Sequence, residues 1–471
     1  MIHYTGTYTD SYELTMAEVY FRKGYGEEQS VFDYFFRTLP FKAGFAVFAG
    51  LEDLIQTLTT LRFDDEDIAY LHDQGFDDGF TEYLRSFRFR GNIYSAAEGD
   101  VVFPVRPVLT VEANLIEAQL IETLLLNILN FQTLIASKAS RMRLAAGDRK
   151  LIDFGLRRAH GPAGYYASRA AIVGGFESTS NVRAGRDYAM PITGTMAHSF
   201  VQRYDDELTA FREFAQIHPD NCVLLVDTYN TLRSGVPNAI KVGKEMAERG
   251  QQLRGIRLDS GDLTYLSKQS RKMLDEAGLH DVKIAASNQL DEHVIESLLK
   301  EGAPIDLFGV GTRLVTAPPD AALDGVYKLA YANDAPRIKL SETTEKVSLP
   351  DLKQVFRVFD DNGDFLGVDA IALQSEKDVE RIDHPFDPLK SLRIARYEKA
   401  PQLQQVVRNG ERTTDPKPLH EIAEYSRNRI ARLPAEYKRF TNPHRYKVGL
   451  SQQLKRERDR LIAANRKMDP Q

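Results

Sequence analysis

Six short apolar runs recur between Leu151 and Val310, each followed by polar loop and helical sequence. They are Leu151-Ile152-Asp153-Phe154, Ala170-Ala171-Ile172-Val173, Val223-Leu224-Leu225-Val226-Asp227, Gly255-Ile256-Arg257-Leu258, Lys283-Ile284-Ala285-Ala286 and Leu307-Phe308-Gly309-Val310. An apolar run of this length bounded by turns suits a strand covered on both faces, and strands that alternate with helices run parallel through crossover connections. The stretch from about 150 to 330 is therefore expected to form a parallel β/α domain, most simply a barrel, with helices such as 238–249 and 291–301 filling the gaps. Domains of this kind gather ligands at the carboxyl ends of their strands, so polar clusters far apart in sequence can converge on one pocket.

Four such clusters stand just after an apolar run or in a glycine-rich turn: Asp153 to Arg158, Gly194 to Ser199, Arg257 to Asp262 and Phe308 to Arg313. In Phe308-Gly309-Val310-Gly311-Thr312 two glycines let the backbone approach an anion closely, and Thr312 can donate from hydroxyl and amide. The same glycines would also serve a tight turn with no ligand. Arg257 and Asp259 alternate along a strand and so share a face. They can hold an anionic group and sugar hydroxyls, or simply pair with each other. His198 follows a Gly-Thr turn and is expected to begin a helix, and the acidic strand end at Asp227 is suited to orient an imidazole. Neither paired-histidine spacing for zinc nor a G-x-S-x-G nucleophile elbow is present.

With 471 residues and 42% hydrophobic side chains the chain can build two packed domains. A formal net charge of −6 argues against a general nucleic-acid binder, which needs a basic surface to displace counterions. The single cysteine, Cys222, excludes an internal disulfide and sits among Val223, Leu224, Leu225 and Val226, as a buried, inert thiol would. No basic segment followed by an apolar stretch opens the chain, and the most apolar long segment, 115–136, carries Glu117, Gln119, Glu122, Asn127, Asn130 and Gln132. A cytoplasmic protein with no membrane association is expected.

Outside the repeating region, 10–24 reads as an amphipathic helix capped by Asp10 or Ser11, and 29–37 as an apolar-aromatic strand before Pro40. Residues 64–89 read as short acidic helices, 91–112 as strands broken by Gly99, Pro104 and Pro107, and 113–136 as one long helix. Strand-like sequence returns from 337 to about 373, and 419–468 is basic and helical in character.

These clusters, together with Tyr8-Thr9-Asp10-Ser11-Tyr12-Glu13-Leu14-Thr15-Met16 and Phe35-Phe36-Arg37-Thr38-Leu39-Pro40, closely resemble the nicotinate phosphoribosyltransferase family from about residue 8 to residue 357. The last hundred residues match only loosely. The resemblance implies an α/β fold: an atypical α/β barrel of the type II phosphoribosyltransferase kind with a mixed α+β domain built from N-terminal and post-barrel segments. The corresponding division is 1–112, completed by about 337–375, then the barrel at 113–336 and a helical, basic region at 376–471. It further implies a homodimer with shared active sites. The reaction would convert nicotinate, phosphoribosyl pyrophosphate, ATP and water into nicotinate mononucleotide, pyrophosphate, ADP and phosphate, with magnesium as cofactor and a phosphohistidine intermediate.

Carried over position by position, the resemblance makes His198 the phosphohistidine and Asp227 its carboxylate partner. Thr195 and Arg257 contact nicotinate; Phe154, with Tyr12 from the other subunit, sandwiches the pyridine ring; Arg157 and Ser180 lie near the substrate. Asp259 binds ribose hydroxyls, and Gly309, Gly311 and Thr312 hold the 5′-phosphate. Lys339, Ser341, Lys346 and Arg357 resemble the basic cluster that meets pyrophosphate or the ATP phosphates. No direct protein ligand for a metal is assigned. One departure is Pro350-Asp351, where the family usually reads Pro-Gly. Ser180 separates this chain from related amide-using enzymes, which carry an aspartate there that would repel a carboxylate. Quinolinate-using enzymes lack the His198 motif. Retention of the histidine, both strand carboxylates and the glycine turn speaks against a non-catalytic phosphosugar-binding barrel.

Overall fold

The computed structural model describes residues 4–340 and 348–466, which divide into two compact units. The first combines Met1–Ser137 with Ala322–Gln471, and the second is Lys138–Ala321. The boundaries expected at 112/113 and 336/337 thus move to 137/138 and 321/322. Packing sets the difference at the second one. Gly325–Ala332 forms a strand that pairs antiparallel with Gln29–Phe36, with Phe32 stacked on Tyr327 at 4.8 Å, so these residues belong with the N-terminal sequence.

The second unit is organised around six parallel strands in the order Ser178–Thr179, Lys150–Asp153, Leu307–Val310, Lys283–Ser287, Gly255–Leu258 and Val223–Leu225. Among the described residues no pairing joins the first of these to the last, so barrel closure is not part of the hydrogen-bonded ladder. Helices Ala163–Val173, Val236–Glu248, Leu263–Glu276 and Glu292–Lys300 fall between the strands. Five of the six runs expected as strands are strands. Ala170 to Val173 instead ends the Ala163–Val173 helix, in which Gly164 to Val173 are all buried. A wholly buried helix has no polar face to mark its period, and four apolar residues cannot distinguish it from a strand.

The first unit contains a seven-stranded antiparallel sheet in the order Ala335–Pro336, Gly325–Ala332, Gln29–Phe36, Leu109–Asn114, Asn92–Ser95, Gln404–Arg408 and Glu411–Arg412. A six-stranded sheet joins Ser391–Arg393, Arg381–Asp383, Lys447–Ser451, Phe365–Leu373, Lys353–Phe359 and Lys399–Pro401. The region 376–412 is therefore built largely of short strands, and the expected basic helical tail is two helices, Leu419–Ala431 and Gln452–Arg466, separated by the Lys447–Ser451 strand. Ser11–Lys23 and the acidic pair Asp65–Asp73 and Asp78–Arg85 are helical as expected. Asp64 closes a capping box with Asp67 at the start of that pair, satisfying amides that the first turn leaves free. The long helix divides into Leu115–Leu120 and Glu122–Ala146. Asp351, at the position usually held by glycine, has φ of 66°, the left-handed region that glycine enters without steric cost.

Candidate active site

The carboxyl ends of the parallel strands surround a cavity of about 530 Å³ in the second unit. Its walls include Phe154, Arg157, Ser180, Thr195, His198, Arg257, Asp259, Gly309, Gly311 and Thr312, so ten of the expected site residues meet in one place. The parallel ladder explains why. Ala286↔Leu258, Ser287↔Gly309 and Val310↔Asp153 are register neighbours, and each strand's next residues turn into the same space.

Arg257 organises the centre. Its Nε donates to Ser287 Oγ at 2.9 Å, Nη1 to Thr195 Oγ1 at 3.3 Å and Nη2 to Asp259 Oδ1 at 3.0 Å. The guanidinium carbon lies 5.1 Å from the centroid of the Phe154 ring. Ser287 Oγ in turn donates to Asp259 Oδ1, closing a triangle of arginine, serine and aspartate. Cation and carboxylate are thus held side by side while both still border the cavity.

His198 opens the short His198–Gln202 helix, as its position after the Gly-Thr turn implies. Its Nδ1 lies 3.1 Å from Thr228 Oγ1, and Nε2 lies 3.8 Å from Asp259 Oδ2. The expected pairing with Asp227 is corrected. Asp227 Oδ2 accepts the Asp259 backbone N–H at 2.8 Å and the Ser260 hydroxyl at 2.6 Å, tying down the turn after the Gly255–Leu258 strand. Asp227 Oδ1 is buried without a hydrogen-bond partner, and Asp227 does not line the cavity. The carboxylate nearest the imidazole is Asp259, and the hydroxyl within bonding range is Thr228.

Gly309 has a role beyond the expected anion cradle. A Cβ there would fall 2.4 Å from the Phe154 ring, so the missing side chain makes room for the aromatic. Asp153, the first acidic strand end, is structural. It accepts from Gly155 N–H, Ser168 Oγ and Thr179 Oγ1, and burial raises its carboxyl above the ordinary range against those three donors. Burial likewise pushes the Cys222 thiol up to about 12, in keeping with an inert side chain.

Of the expected phosphate ligands, Lys339 and Arg357 are not among the residues that line this cavity. Ser341 and Lys346 lie outside the described residues. Lys339 is exposed in the first unit, its amide bonded to Ser348 Oγ. Arg357 is fully buried there, paired with Asp100 at 2.9 Å and Asp369 at 3.1 Å and lying over Phe365, which corrects its assignment to a ligand. The first unit gathers other cations, Arg37, Lys42 and Arg445 with His384 and His444, around a separate cavity of about 1020 Å³. Tyr12 is half exposed on the Ser11–Lys23 helix of the first unit. Sequence reasoning missed Ser287, Asn288 and Gln289, which also line the strand-end cavity. Their signal was the polar sequence directly after Ala285-Ala286.

Three family descriptions match the chain: the nicotinate phosphoribosyltransferase N-terminal domain over 7–130, the nicotinate phosphoribosyltransferase family over 149–382 and the corresponding C-terminal domain over 352–458. The last extends the likeness well beyond residue 357. Nicotinate phosphoribosyltransferase of Bacillus subtilis is 46% identical over 455 residues, covering 94% of this chain and 92% of that protein. The Dictyostelium discoideum enzyme of the same name is 37% identical, with 95% and 86% covered. The crystal structure of human nicotinic acid phosphoribosyltransferase superposes with a TM-score of 0.86 at 31% identity, over 96% of this chain and 99% of that one. A Pyrococcus furiosus nicotinate-nucleotide pyrophosphorylase shares the fold, with a TM-score of 0.71 at 22% identity. By sequence over most of its length and by fold, the chain belongs to the nicotinate phosphoribosyltransferase family.

Proposed function

We propose that this chain transfers the phosphoribosyl group of phosphoribosyl pyrophosphate to nicotinate, a step of NAD salvage, and that ATP hydrolysis is coupled to the transfer through phosphorylation of His198. The observation that carries the reading is the pairing of Arg257 with an aromatic face. A guanidinium bonded to Thr195 and poised over Phe154 offers a flat, carboxylate-bearing ring both stacking and a charge-assisted hydrogen bond. Ser180, which adds no negative charge to the wall, favours the acid over the amide.

The pyridine nitrogen already has a lone pair, so no protein base is needed. As its bond to the ribosyl C1 forms, the C1–O bond breaks and pyrophosphate leaves with the electron pair. The site's task is alignment and stabilisation of the departing charge. Asp259, beside Arg257 and within 4 Å of His198, supplies the acceptor for ribose hydroxyls. Gly311 and Thr312, which follow the Leu307–Val310 strand into the cavity, supply the 5′-phosphate contacts. Phosphate on His198 would set a further anion next to Asp259, and ATP hydrolysis would drive synthesis forward.

Magnesium is proposed to arrive with the donor's pyrophosphate. Among the described residues no three His, Cys, Asp or Glu side chains group to hold a cation, whereas a phosphate-bound Mg²⁺ needs only one or two carboxylates, for which Asp259 is available. Bound there, it would neutralise charge on the leaving group. Tyr12, a half-exposed aromatic on a surface helix, is proposed to complete the ring sandwich in a partner copy's site, making the protein a homodimer. No helix among the described residues is long and apolar enough to cross a membrane. Incubation with γ-labelled ATP tests the coupling. Acid-labile, base-stable label on wild type is expected, and its absence under turnover would remove the phosphohistidine step.

A further inference from the structure

We infer that Glu13 and Glu122, bridged by the Gln119 amide, form a carboxyl pair that positions the Tyr12 ring, an inference that rests on the ring-stacking role proposed above for Tyr12. Tyr12 stands in the first turn of the Ser11–Lys23 helix, between two side chains that fasten this turn to the chain around residue 120. On one side is Asp10, whose Oδ2 accepts the Thr123 hydroxyl at 2.9 Å while its backbone N–H donates to Thr123 Oγ1 at 3.2 Å. On the other is Glu13, a carboxylate with no exposed surface, whose Oε2 accepts from Gln119 Nε2. The same Gln119 nitrogen lies 3.4 Å from Glu122 Oε2. Tyr12 itself is half exposed, so the fastenings on either side, rather than packing of the ring, set where it stands.

Two carboxyls around one amide are best satisfied by a single shared proton. The NH₂ group offers one hydrogen to each, yet Glu13 Oε1 is buried with no hydrogen-bond partner. With both groups ionised, that oxygen would hold unsolvated charge and the two anions would repel across Gln119. The surrounding charges point the same way. Asp10 adds a negative charge from the first helix, and Lys328 of the Gly325–Ala332 strand supplies one positive charge, which offsets one carboxylate and not two. The phenols of Tyr12, Tyr20 and Tyr327 complete the surroundings, each raised above the ordinary tyrosine value first by burial and then by these carboxyls, so all three stay neutral.

Burial, then Glu13, raises the Glu122 carboxyl to about 7, so the shared proton is present below that pH and lost above it. Above it, the second charge pushes the first turn of the helix away from Gln119 and carries Tyr12 with it. Glu13 and Glu122 are thus positioning residues, acting on the nicotinate ring through Tyr12.

The test follows the KM for nicotinate at saturating donor from about pH 6 to about pH 8.5 in wild type, Glu122→Gln, Tyr12→Ala and the double variant. Titration of the substrates and of His198 is common to all four, so differences between them report the pair. Relative to Glu122→Gln, which stays neutral throughout, the wild-type KM should rise by about twofold to tenfold across the range, the loss expected for one aromatic contact, with kcat less affected. Glu13→Gln, an equally conservative change, should flatten the profile as well. On the Tyr12→Ala background, exchanging Glu122 for Gln should make no difference. A wild-type profile no steeper than those of the two Gln variants would overturn the pair. An effect of Glu122→Gln that persisted without the Tyr12 ring would overturn its action through Tyr12. Tyr12→Ala with an unchanged nicotinate KM would overturn the stacking role itself, and the pair with it.

Discussion

Removing the imidazole at position 198 should separate the two reactions proposed for this site. His198→Ala is expected to abolish ATP hydrolysis and phosphoenzyme formation while slow, ATP-independent transfer persists, because the nucleophile belongs to the substrate. Acid-labile phosphate retained by the variant would contradict the assignment. Residues of this kind were legible because charged and hydroxyl side chains at strand ends have few structural uses: Thr195, His198, Arg257 and Asp259 all reach one cavity. Which carboxylate meets the imidazole was not legible. Asp227 and Asp259 end adjacent strands, and only the bond from the Asp259 amide to Asp227 turns one outward and leaves the other beneath the turn. Arg357 misled because an inward-facing arginine with buried partners 257 and 12 positions away looks, in sequence, like one that faces a ligand. Arg357→Ala should therefore lower stability by about 3–5 kcal/mol, the cost of breaking a buried charge network. The folded fraction should keep its KM for phosphoribosyl pyrophosphate, and a raised KM at unchanged stability would restore the ligand role.

At the scale of elements, the contact between Gly309 and Phe154 links a strand to the aromatic wall of the cavity. Gly309→Ala would drive a methyl into a ring whose atoms lie 2.4 Å from its Cβ. Overpacking of this sort costs about 1–3 kcal/mol, and the ring must move to accommodate it. The expected result is a lower thermal midpoint together with a several-fold rise in the KM for nicotinate. A variant with unchanged nicotinate KM would detach Phe154 from the substrate. Strands that end in polar clusters were readable from pattern, whereas the three-residue strands Arg381–Asp383, Ser391–Arg393 and Lys399–Pro401 are too short to display a period of two. They exist because partner strands capture them, which no local pattern encodes.

Across the first unit, widely separated segments are held by buried charge. Asp100 meets Arg357 and Arg429, and Asp369 meets Arg357 and Arg106, so residues from 100 to 429 share one network. Burial alone would raise the Asp100 carboxyl, yet Arg357 and Arg429 hold it below its ordinary value, so its stabilisation is present above the unfolded pKa and lost as pH falls through the folded one. Glu122 behaves in the opposite sense. Burial, then repulsion from Glu13, raises its carboxyl from 4.5 to about 7. Its favourable contribution is therefore present below the unfolded pKa and lost as pH rises through the folded value. Glu122→Gln should stabilise the protein by about 1–2 kcal/mol at pH 8 and have little effect at pH 5, as measured by denaturant unfolding at each pH. Equal effects at both pH values would contradict the raised carboxyl. Such a discontinuous unit was only half legible, because residues 322–336 continue from the second unit in sequence and join the first in space.

The most direct measurement is mononucleotide formation from phosphoribosyl pyrophosphate with nicotinate or nicotinamide, with and without ATP, in wild type and Arg257→Gln. Wild type should use nicotinate strongly in preference and respond to ATP. The charge-assisted bond proposed from Arg257 to the nicotinate carboxylate would be worth about 1.5–3 kcal/mol, so its loss should weaken nicotinate roughly ten- to a hundred-fold and nicotinamide far less. Equal weakening of both, or a wild type that prefers the amide, would contradict the assignment of Arg257 to the nicotinate carboxylate.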